Sequence, residues 1–193
     1  MEKHLLLKEL QSRHEFPEEE FPRLLELFEV RSIQKNEIIF HTGDIVKYCY
    51  FILKGCMQQY YISPEGIEKI IYFAQEGTWT GEMDSMINET PSIVSTQAVE
   101  DSEVLIMNKA NWENAIRNIP DFALYQIKKR GHTIARMKQQ LAQTTTTTPD
   151  QKYRQLLNET PDLLQRLPLY KIASYIGVTP ETLSRIRKRN TRL

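Results

Sequence analysis

Between residues 30 and 107 the chain is built from short segments in which apolar and polar residues alternate with a period of two. These segments are rich in β-branched and aromatic residues, as half-buried strands are. The breaks between them carry Gly, Pro, Asn, Asp and Ser, which favour turns. In chain order the segments are VRSIQ, EIIFH, YCYFIL, CMQQYYI, IEKIIYFA, SIVSTQAV and SEVLIM. Closely spaced strands with such turns predict an antiparallel β jelly roll or barrel.

Helical patterns flank the predicted strands, at residues 21–28 before them and 109–118 after them. A longer helical pattern starts at Pro120, with seam positions at alternating spacings of four and three. These positions are Ala123, Ile127, Arg130, Ile134, Met137 and Leu141. Such a heptad seam predicts a coiled coil between two copies of the chain, although a helix packed on its own jelly roll would show a similar pattern. We predict Ile127, Ile134, Met137 and Leu141 as the dimer interface.

The run TTTTTP, residues 144–149, interrupts this helix with β-branched residues and a proline, and we interpret it as a hinge. The predicted fold class is α+β. A jelly-roll sensor domain with flanking helices covers residues 1–119, and the dimerisation helix covers residues 120–143. The hinge follows, and a helix-turn-helix domain covers residues 150–193. That domain is predicted to open with a short helix at 151–157 and a second that ends near Arg166.

The last segment, LPLYKIASYIGVTPETLSRIRKRNTRL, has the spacing of a helix-turn-helix. This unit needs a small residue where its helices nearly touch and a glycine in the turn four residues later, and Ala173 and Gly177 meet both needs. Thr179 and Pro180 then mark the start of the second helix, with a hydroxyl at the N-cap and a proline at the first helical position. The inward positions of both helices are apolar: Ile172, Ile176, Val178, Leu183 and Ile186.

The outward face of the second helix carries polar and basic side chains at spacings of three and four. Arginine can pair bidentately with guanine in the major groove, glutamate can accept from cytosine N4, and serine can serve either base. The remaining basic groups suit phosphates. We therefore predict double-stranded DNA as a partner. The predicted DNA-binding residues are Thr179, Glu181, Ser184, Arg185, Lys188 and Arg189.

The charge distribution supports the same partner, although the formal net charge of the chain is zero. Residues 1–120 carry a net charge of −9, residues 121–150 of +3, and residues 151–193 of +6. A basic terminal segment on an acidic body attracts phosphate backbones at one end only. A solvated basic tail would give the same gradient, but it would not explain a basic face on a helix-turn-helix.

Other function classes find little support in the sequence. No apolar run approaches the ~18 to 20 residues of a membrane span. The N-terminal stretch is charged and amphipathic rather than a secretory signal, so we expect a cytoplasmic protein. Cys49 and Cys56 are too few for an iron–sulfur cluster and have no nearby histidines for a zinc site. We predict no metal and no cofactor. No catalytic motif surrounds the histidines, so no enzymatic activity is predicted.

Four groups of residues carry a family resemblance: Gly43-Asp44, YFILKG at residues 50–55, Gly77 and Gly81-Glu82 with Pro91, and ETLSR at residues 181–185. With the order of the domains, they resemble the cyclic-AMP receptor protein and fumarate–nitrate regulator family of bacterial transcription factors. The resemblance implies a dimer that reads a two-fold symmetric DNA site through the second helix and works with RNA polymerase. It also implies that Arg185 and Glu181 read a G·C pair and Ser184 a neighbouring base.

The loop at residues 80–99 departs from the cyclic-AMP-binding members of that family. In those members a glutamate takes a ribose hydroxyl and an arginine pairs with the cyclic phosphate. Here Gly81 and Glu82 match, but Ser92 replaces the arginine and Ser95 the final threonine. A charge-assisted bidentate pair contributes about 1.5 to 3 kcal/mol and a neutral hydroxyl ~1, so phosphate binding weakens by about one to two orders of magnitude. We predict that Gly81, Glu82, Ser92 and Ser95 line a pocket that does not bind cyclic AMP tightly, and its effector is unknown.

Two further departures and one alternative complete the comparison with the family. The N-terminal cysteine cluster of the fumarate–nitrate regulators is missing, so no iron–sulfur cluster is predicted. Few residues follow Lys188, so we expect a reduced wing after the recognition helix. The alternative is a true cyclic-nucleotide-responsive regulator in which Lys69, or a basic group on the partner subunit's long helix, supplies the missing charge.

Overall fold

The computed structural model describes residues 3–144 and 147–190, and it divides into two compact units. The first unit contains the residues up to Gln59 together with Phe73–Arg136. The second contains Tyr60–Tyr72 together with the residues from Met137 onward. The tip of one β hairpin is thus grouped with the C-terminal helices.

Eight strands form two four-stranded sheets within the described residues. The strand order is β1-β8-β3-β6 in the first sheet and β2-β7-β4-β5 in the second. The pairs β1–β8, β3–β8, β3–β6 and β2–β7 are antiparallel. This arrangement confirms the predicted α+β class and the jelly roll. The strands are β1 Glu29–Ile33, β2 Ile38–Phe40, β3 Tyr48–Lys54, β4 Cys56–Ile62, β5 Glu68–Gln75, β6 Trp79–Thr80, β7 Ser95–Ala98 and β8 Ser102–Asn108.

Strand β3 is buried on both faces, which explains why its sequence is almost continuously apolar. Cys49, Phe51 and Leu53 point to one face and pack in a core cluster with the helices of the first unit. Tyr50 and Ile52 alternate with them and are equally buried on the opposite face. The strand therefore lies between the helical layer and the interior of the jelly roll.

Nine α-helices are present in the described part of the chain, with a 3-10 turn at Glu18–Glu20. In the first unit, helices α1 and α4 and the part of α5 up to Arg136 cover the sheet through buried leucines and aromatic residues. Among these residues are Trp112 and Phe122, whose rings meet edge to face at 5.3 Å. The helices are α1 His4–Arg13, α2 Phe21–Leu25, α3 Met83–Asn88, α4 Lys109–Asn118, α5 Pro120–Thr144, α6 Pro149–Glu159, α7 Pro161–Arg166, α8 Leu169–Ile176 and α9 Pro180–Asn190.

Two local predictions were wrong in their extent, and two short elements were not predicted. Of the predicted strand SIVSTQAV only Ser95–Ala98 is extended, because the Ser92 hydroxyl turns the chain by bonding the Val94 carbonyl. The helix predicted at residues 21–28 ends at Leu25, because the Leu27 and Phe28 N–H groups donate to carbonyls only three residues back, at 3.1 Å each, and form a turn. Strand β6 and helix α3 were not predicted, because two residues and six residues are too short for a periodic pattern.

Helices α6–α9 form the apolar core of the second unit. Helix α6 begins with a reciprocal capping box: the Thr148 hydroxyl accepts from the Gln151 backbone, and the Gln151 side chain accepts from the Thr148 backbone. The core residues of this unit are Tyr153, Leu156, Leu163, Ile172, Ala173, Ile176, Leu183 and Ile186 in the helices, with Leu167 between α7 and α8.

Two sequence predictions fall partly outside the described residues. The predicted hinge at residues 144–149 includes residues 145 and 146, and the expected reduced wing would involve residues 191–193. Both remain predictions.

Candidate nucleic-acid interface and ligand loop

The turn between α8 and α9 shows the geometry that the helix-turn-helix spacing predicts. Gly177 ends α8 with φ of 86°, a left-handed conformation that glycine adopts without a steric penalty. The backbone N–H groups of Gly177 and Val178 both donate to the Ala173 carbonyl, at 2.9 Å each. Thr179 then caps α9, since its hydroxyl accepts from the Thr182 backbone N–H at 3.3 Å.

One face of α9 is buried and the other is open to solvent. Leu183 and Ile186 are buried against the other helices of the unit. The predicted DNA-binding residues lie on the open side: Thr179, Glu181, Arg185, Lys188 and Arg189 are exposed, and Ser184 is half-buried. Of these, Glu181 lies three and four positions before Ser184 and Arg185, and Lys188 lies four and three positions after them. The four side chains therefore share one stripe.

Glu181 and Arg185 are electrostatically linked on this stripe. Hydrogen bonds from the Glu181 backbone N–H and the Thr179 hydroxyl lower the pKa of the Glu181 carboxyl, and the nearby Arg185 charge acts in the same direction. The Arg185 guanidinium donates to the Thr182 hydroxyl at 3.2 Å. The stripe therefore presents an ionised carboxylate beside an exposed guanidinium, which are groups that can accept from cytosine and donate to guanine.

The C-terminal end of α9 is held by Asp150 of helix α6. The Asn190 amide donates to one oxygen of this carboxylate at 3.2 Å, and the Arg154 guanidinium pairs with the other at 2.9 Å. Arg189 reaches the same carboxylate only at 3.9 Å, and its side chain is exposed. Arg189 can therefore leave this contact for a phosphate at little cost, because exposed ion pairs are weak.

The predicted dimer residues form an uncovered apolar row along α5. Their exposed fractions are 68% for Ile127, 53% for Ile134, 60% for Met137 and 75% for Leu141. Arg130, which interrupts the row, is also exposed. A helix that only covered its own jelly roll would bury these side chains, so the alternative explanation of the heptad pattern does not account for them.

In the predicted ligand loop, Gly81 and Glu82 join strand β6 to helix α3. Gly81 has φ of 121°, and a side chain there would be 3.4 Å from the backbone of Tyr48 and Cys49. The Gly81 carbonyl accepts from the Gln59 amide at 3.0 Å. Glu82 is partly buried, and burial, together with the negative charge of Asp84, raises the pKa of its carboxyl. The charged neighbour of Glu82 is thus another acid, which disfavours an anionic ligand.

The hydroxyls of Ser92 and Ser95 bond to the protein itself. Ser92 is 2% exposed, and its hydroxyl donates to the Val94 carbonyl at 2.7 Å and accepts from the Val94 N–H at 3.2 Å. The Ser95 hydroxyl accepts from the Thr42 backbone N–H at 2.9 Å. Ser92 therefore stabilises its own turn at the position where the cyclic-AMP-binding pattern has an arginine.

The clefts, cysteines and helices of the described residues bear on the other predictions. Two surface clefts of about 360 and 460 Å³ open elsewhere on the first unit, and none of Gly81, Glu82, Ser92 and Ser95 lines either of them. Within residues 3–144 and 147–190, no group of three or more His, Cys, Asp or Glu side chains is arranged to hold a metal ion. Cys49 and Cys56 are both buried thiols. In the same described ranges, no helix combines the length and apolar character that crossing a membrane requires.

A polar network beneath α5 was not predicted from the sequence. The Trp79 indole N–H donates to the Tyr125 hydroxyl at 2.9 Å, and that hydroxyl donates to Glu9 at 3.0 Å. Glu9 also accepts from Arg13 at 2.9 Å. Lys129 lies with its ammonium 4.3 Å from the centre of the Trp79 ring. The network joins α1 and α5 to the strand that precedes Gly81, and no motif in the sequence links these positions.

Lys129 should make the stability of the protein depend on pH near neutrality. Burial lowers the pKa of Lys129 from 10.5 to about 7; Arg13 and Arg130 act in the same direction, while Cys49 and Glu9 oppose it. Above pH 7 the folded protein prefers the neutral amine while the unfolded chain still binds the proton. The free energy of unfolding should therefore rise with pH from about 7 to 9, by at most about 1.4 kcal/mol per pH unit, relative to Lys129→Met.

Urea unfolding of the parent and of Lys129→Met at pH 6.5, 7.5 and 8.5 measures this difference. Burial raises the pKa of the Cys49 thiol to about 12, so Cys49 lowers the stability as the pH approaches the ordinary thiol range, but both proteins contain Cys49 and its contribution cancels in their difference. A difference between parent and variant that stays constant over the three pH values would contradict the prediction.

Comparisons with known proteins agree with this architecture. Residues 30–118 match the family described as cyclic nucleotide-binding domain. The chain is 28% identical to the cyclic AMP receptor protein of Thermus thermophilus over 107 residues, which span 55% of this chain and 49% of that protein. It is 24% identical over 185 residues to the transcriptional regulatory protein btr of Bordetella pertussis, covering 90% of this chain and 76% of that protein.

A solved structure extends the likeness over nearly the whole chain. The global regulator CLP of Xanthomonas campestris, described as c-di-GMP responsive, superposes with a TM-score of 0.72. The superposition covers 91% of this chain and 92% of that one, at 14% sequence identity. At this identity the likeness concerns the fold.

Proposed function

We propose that the chain is a homodimeric, sequence-specific DNA-binding transcription regulator of the cyclic-AMP receptor protein and fumarate–nitrate regulator family, which the match of residues 30–118 and the two curated relatives support. One observation carries the proposal: α9 exposes Glu181, Arg185 and Lys188 on one stripe while Leu183 and Ile186 anchor its other face. A helix that only packed within its own domain would have no use for a guanidinium and a carboxylate at the positions that face bases, next to further basic groups. We propose a cytoplasmic protein without catalytic activity that works with RNA polymerase, as the family resemblance implies.

The dimer is supported by the uncovered apolar row on α5. Burying such side chains between two helices contributes about 1.5 to 3 kcal/mol for each residue. A two-fold dimer would carry two recognition helices, and these suit half-sites one helical turn of DNA apart, at about 34 to 36 Å.

Selection of DNA fragments by the purified protein tests the proposed function. Repeated rounds of binding from genomic fragments at about 150 mM salt should enrich one two-fold symmetric sequence whose half-sites are about 10 base pairs apart, centre to centre. Selection with and without an extract of small molecules shows in addition whether an effector is needed. Failure to enrich any sequence over the starting pool in both conditions would contradict DNA-specific regulation.

For the sensor domain we propose an effector other than cyclic AMP, or none. The proposal is supported by Ser92, which is buried and bonded within its own turn, and by Glu82, whose charged neighbour Asp84 is also acidic. The match of residues 30–118 to the cyclic nucleotide-binding domain favours the alternative, a regulator with a non-standard phosphate site.

Thermal unfolding separates the two possibilities. A ligand at ~100 times its dissociation constant stabilises a protein by about 2.7 kcal/mol, which raises the melting temperature by several degrees in a chain of this size. We expect no shift with millimolar cyclic AMP or cyclic GMP. A shift of several degrees with either nucleotide would establish the alternative.

A further inference from the structure

Helices α6 and α9 of the second unit bring two arginines to one carboxylate. Arg154 lies one turn after Asp150 on α6, and its Nε pairs with one carboxylate oxygen at 2.9 Å. Arg189, near the end of α9, lies 3.9 Å from the other oxygen through Nη2. The Asn190 amide donates to that second oxygen at 3.2 Å and to the Ile186 carbonyl at 2.9 Å, so the end of α9 is fixed beside α6. We call Arg154 and Arg189 the arginine pair.

The arginine pair is open to solvent and carries more charge than its partner balances. The Arg154 and Arg189 side chains are 53% and 69% exposed, whereas Asp150 is 26% exposed. Each guanidinium carries about five N–H donors, and a carboxylate offers about four lone-pair sites in all. The cluster therefore keeps one positive charge and N–H donors that the carboxylate does not take up. A small anion with several oxygen atoms, such as a phosphodiester, matches both properties.

The position of the arginine pair relates it to the base-reading residues. Arg189 follows Arg185 by four positions, so both side chains project from the same side of α9. Four residues span about 6 Å along a helix, and the major groove is about 12 Å wide. A side chain at that distance from the base-reading position therefore reaches the phosphates at the edge of the groove. Arg154 adds a second guanidinium at this point from a different helix.

We propose that the arginine pair binds a phosphate of the DNA backbone at the edge of the major groove, with Asp150 as the positioning residue that holds both guanidinium groups in place beforehand. The proposal rests on the proposed DNA-binding function. It adds Arg154, which is not among the DNA-binding residues predicted from the sequence. Arg154 can keep its Nε bond to Asp150 while its terminal N–H groups bind the phosphate. Asp150 thereby reduces the conformational entropy that the side chain loses on binding.

Arg154→Met tests the proposal, because methionine keeps an unbranched stem and a high helix propensity but carries no charge. We expect the variant to bind the selected site and unrelated DNA alike at least about ten-fold more weakly than the parent at about 150 mM salt. The salt slope should fall by about two, one for each subunit of the dimer. Mobility shifts over a range of salt concentrations measure both quantities.

Lys152→Met is the matched control, since it removes one positive charge from the same helix, about 160° around the axis from Arg154. It should change the affinity by no more than about two-fold. An equal loss in both variants would show a general effect of charge and would overturn the phosphate site. Because an exposed ion pair contributes little to stability, both variants should unfold at the temperature of the parent. A large fall for Arg154→Met alone would assign Arg154 a structural role instead.

Ethylation interference on the selected site locates the contact. Ethylation removes the charge of a phosphate, so it should block binding of the parent at the phosphate that the arginine pair contacts. In Arg154→Met, ethylation of this phosphate in each half-site should weaken binding much less, while the other phosphates keep their effect. A footprint that is identical for parent and variant would contradict the phosphate site.

The outcomes separate this proposal from the proposed function. A parent that selects no DNA site contradicts the proposed function, and the phosphate site falls with it. If the parent selects a site and Arg154→Met binds it as tightly, with an unchanged salt slope, the phosphate site alone is wrong.

A double-mutant cycle tests the positioning role of Asp150. Asp150→Asn keeps an oxygen that accepts from Asn190 but loses the charge that holds the arginine pair. Arg154→Met should therefore cost at least about three-fold less affinity in the Asp150→Asn background than in the parent, since the effects of residues in contact are not additive. An equal effect in both backgrounds would show that Asp150 does not position Arg154.

Discussion

Arg185→Ala is expected to lower the affinity for the selected DNA site by about 30-fold or more. The affinity for unrelated DNA should fall far less. A bidentate arginine–guanine pair contributes about 1 to 3 kcal/mol of discrimination. A two-fold dimer contains this pair twice, so the two substitutions together remove about 2 to 6 kcal/mol of binding free energy. Every 1.4 kcal/mol is a factor of ten in affinity, so the lower bound corresponds to about 30-fold. The side chain is exposed and donates within its own helix only to Thr182, so its removal should leave the fold intact.

Mobility shifts on the selected site and on unrelated DNA, each over a range of salt concentrations, measure this effect. Lys188→Ala is the control on the same exposed stripe, because a lysine that binds a phosphate carries no sequence information. It should weaken binding to both DNAs alike and reduce the salt slope by about one for each phosphate that the protein no longer neutralises. An Arg185→Ala protein as tight and selective as the parent would exclude Arg185 from base reading.

Ile134→Glu is expected to convert the dimer to a monomer and to lower affinity for the selected site by at least about 100-fold. Ile134 lies in the middle of the apolar row on α5, so a two-fold interface would lose two buried isoleucines, about 3 to 6 kcal/mol in total. It would also bring two carboxylates together, which costs more. A monomer contacts one half-site only. To fill the whole site, two monomers must associate on the DNA, and the free energy of that association reduces the observed affinity.

Sedimentation equilibrium of parent and variant measures the loss of the dimer directly. Gln139→Glu introduces the same side chain on the same helix at an exposed position, about 140° around the axis from Ile134. It should remain dimeric and bind DNA as the parent does. A dimeric Ile134→Glu protein would exclude this row as the interface, whatever its DNA affinity.

Much of the helix-turn-helix could be predicted because its constraints are local. The left-handed turn requires a residue such as Gly177, the close approach of two helices requires Ala173, and the N-cap favours Thr179. These residues lie within seven positions of one another. The jelly roll was predictable as a class from the period-two segments, but its shortest elements were not. Strand β6 exists because Trp79 packs on Phe51, with ring centres 5.2 Å apart, and that contact joins residues far apart in the chain.

The α+β class and the order of jelly roll, long helix and helix-turn-helix follow from the amino-acid sequence alone, as does the lack of an arginine at position 92, because periodicity, turn chemistry and residue identity are local properties. Only the tertiary structure showed that Ser92 bonds within its own turn, that Lys129 lies over Trp79, and that Asp150 holds the end of α9 through Asn190. Each of the last two contacts joins residues at least 40 positions apart in the chain. A side chain's chemistry is written in the sequence, but the partner it meets, and the burial that shifts its pKa, depend on how distant segments fold together.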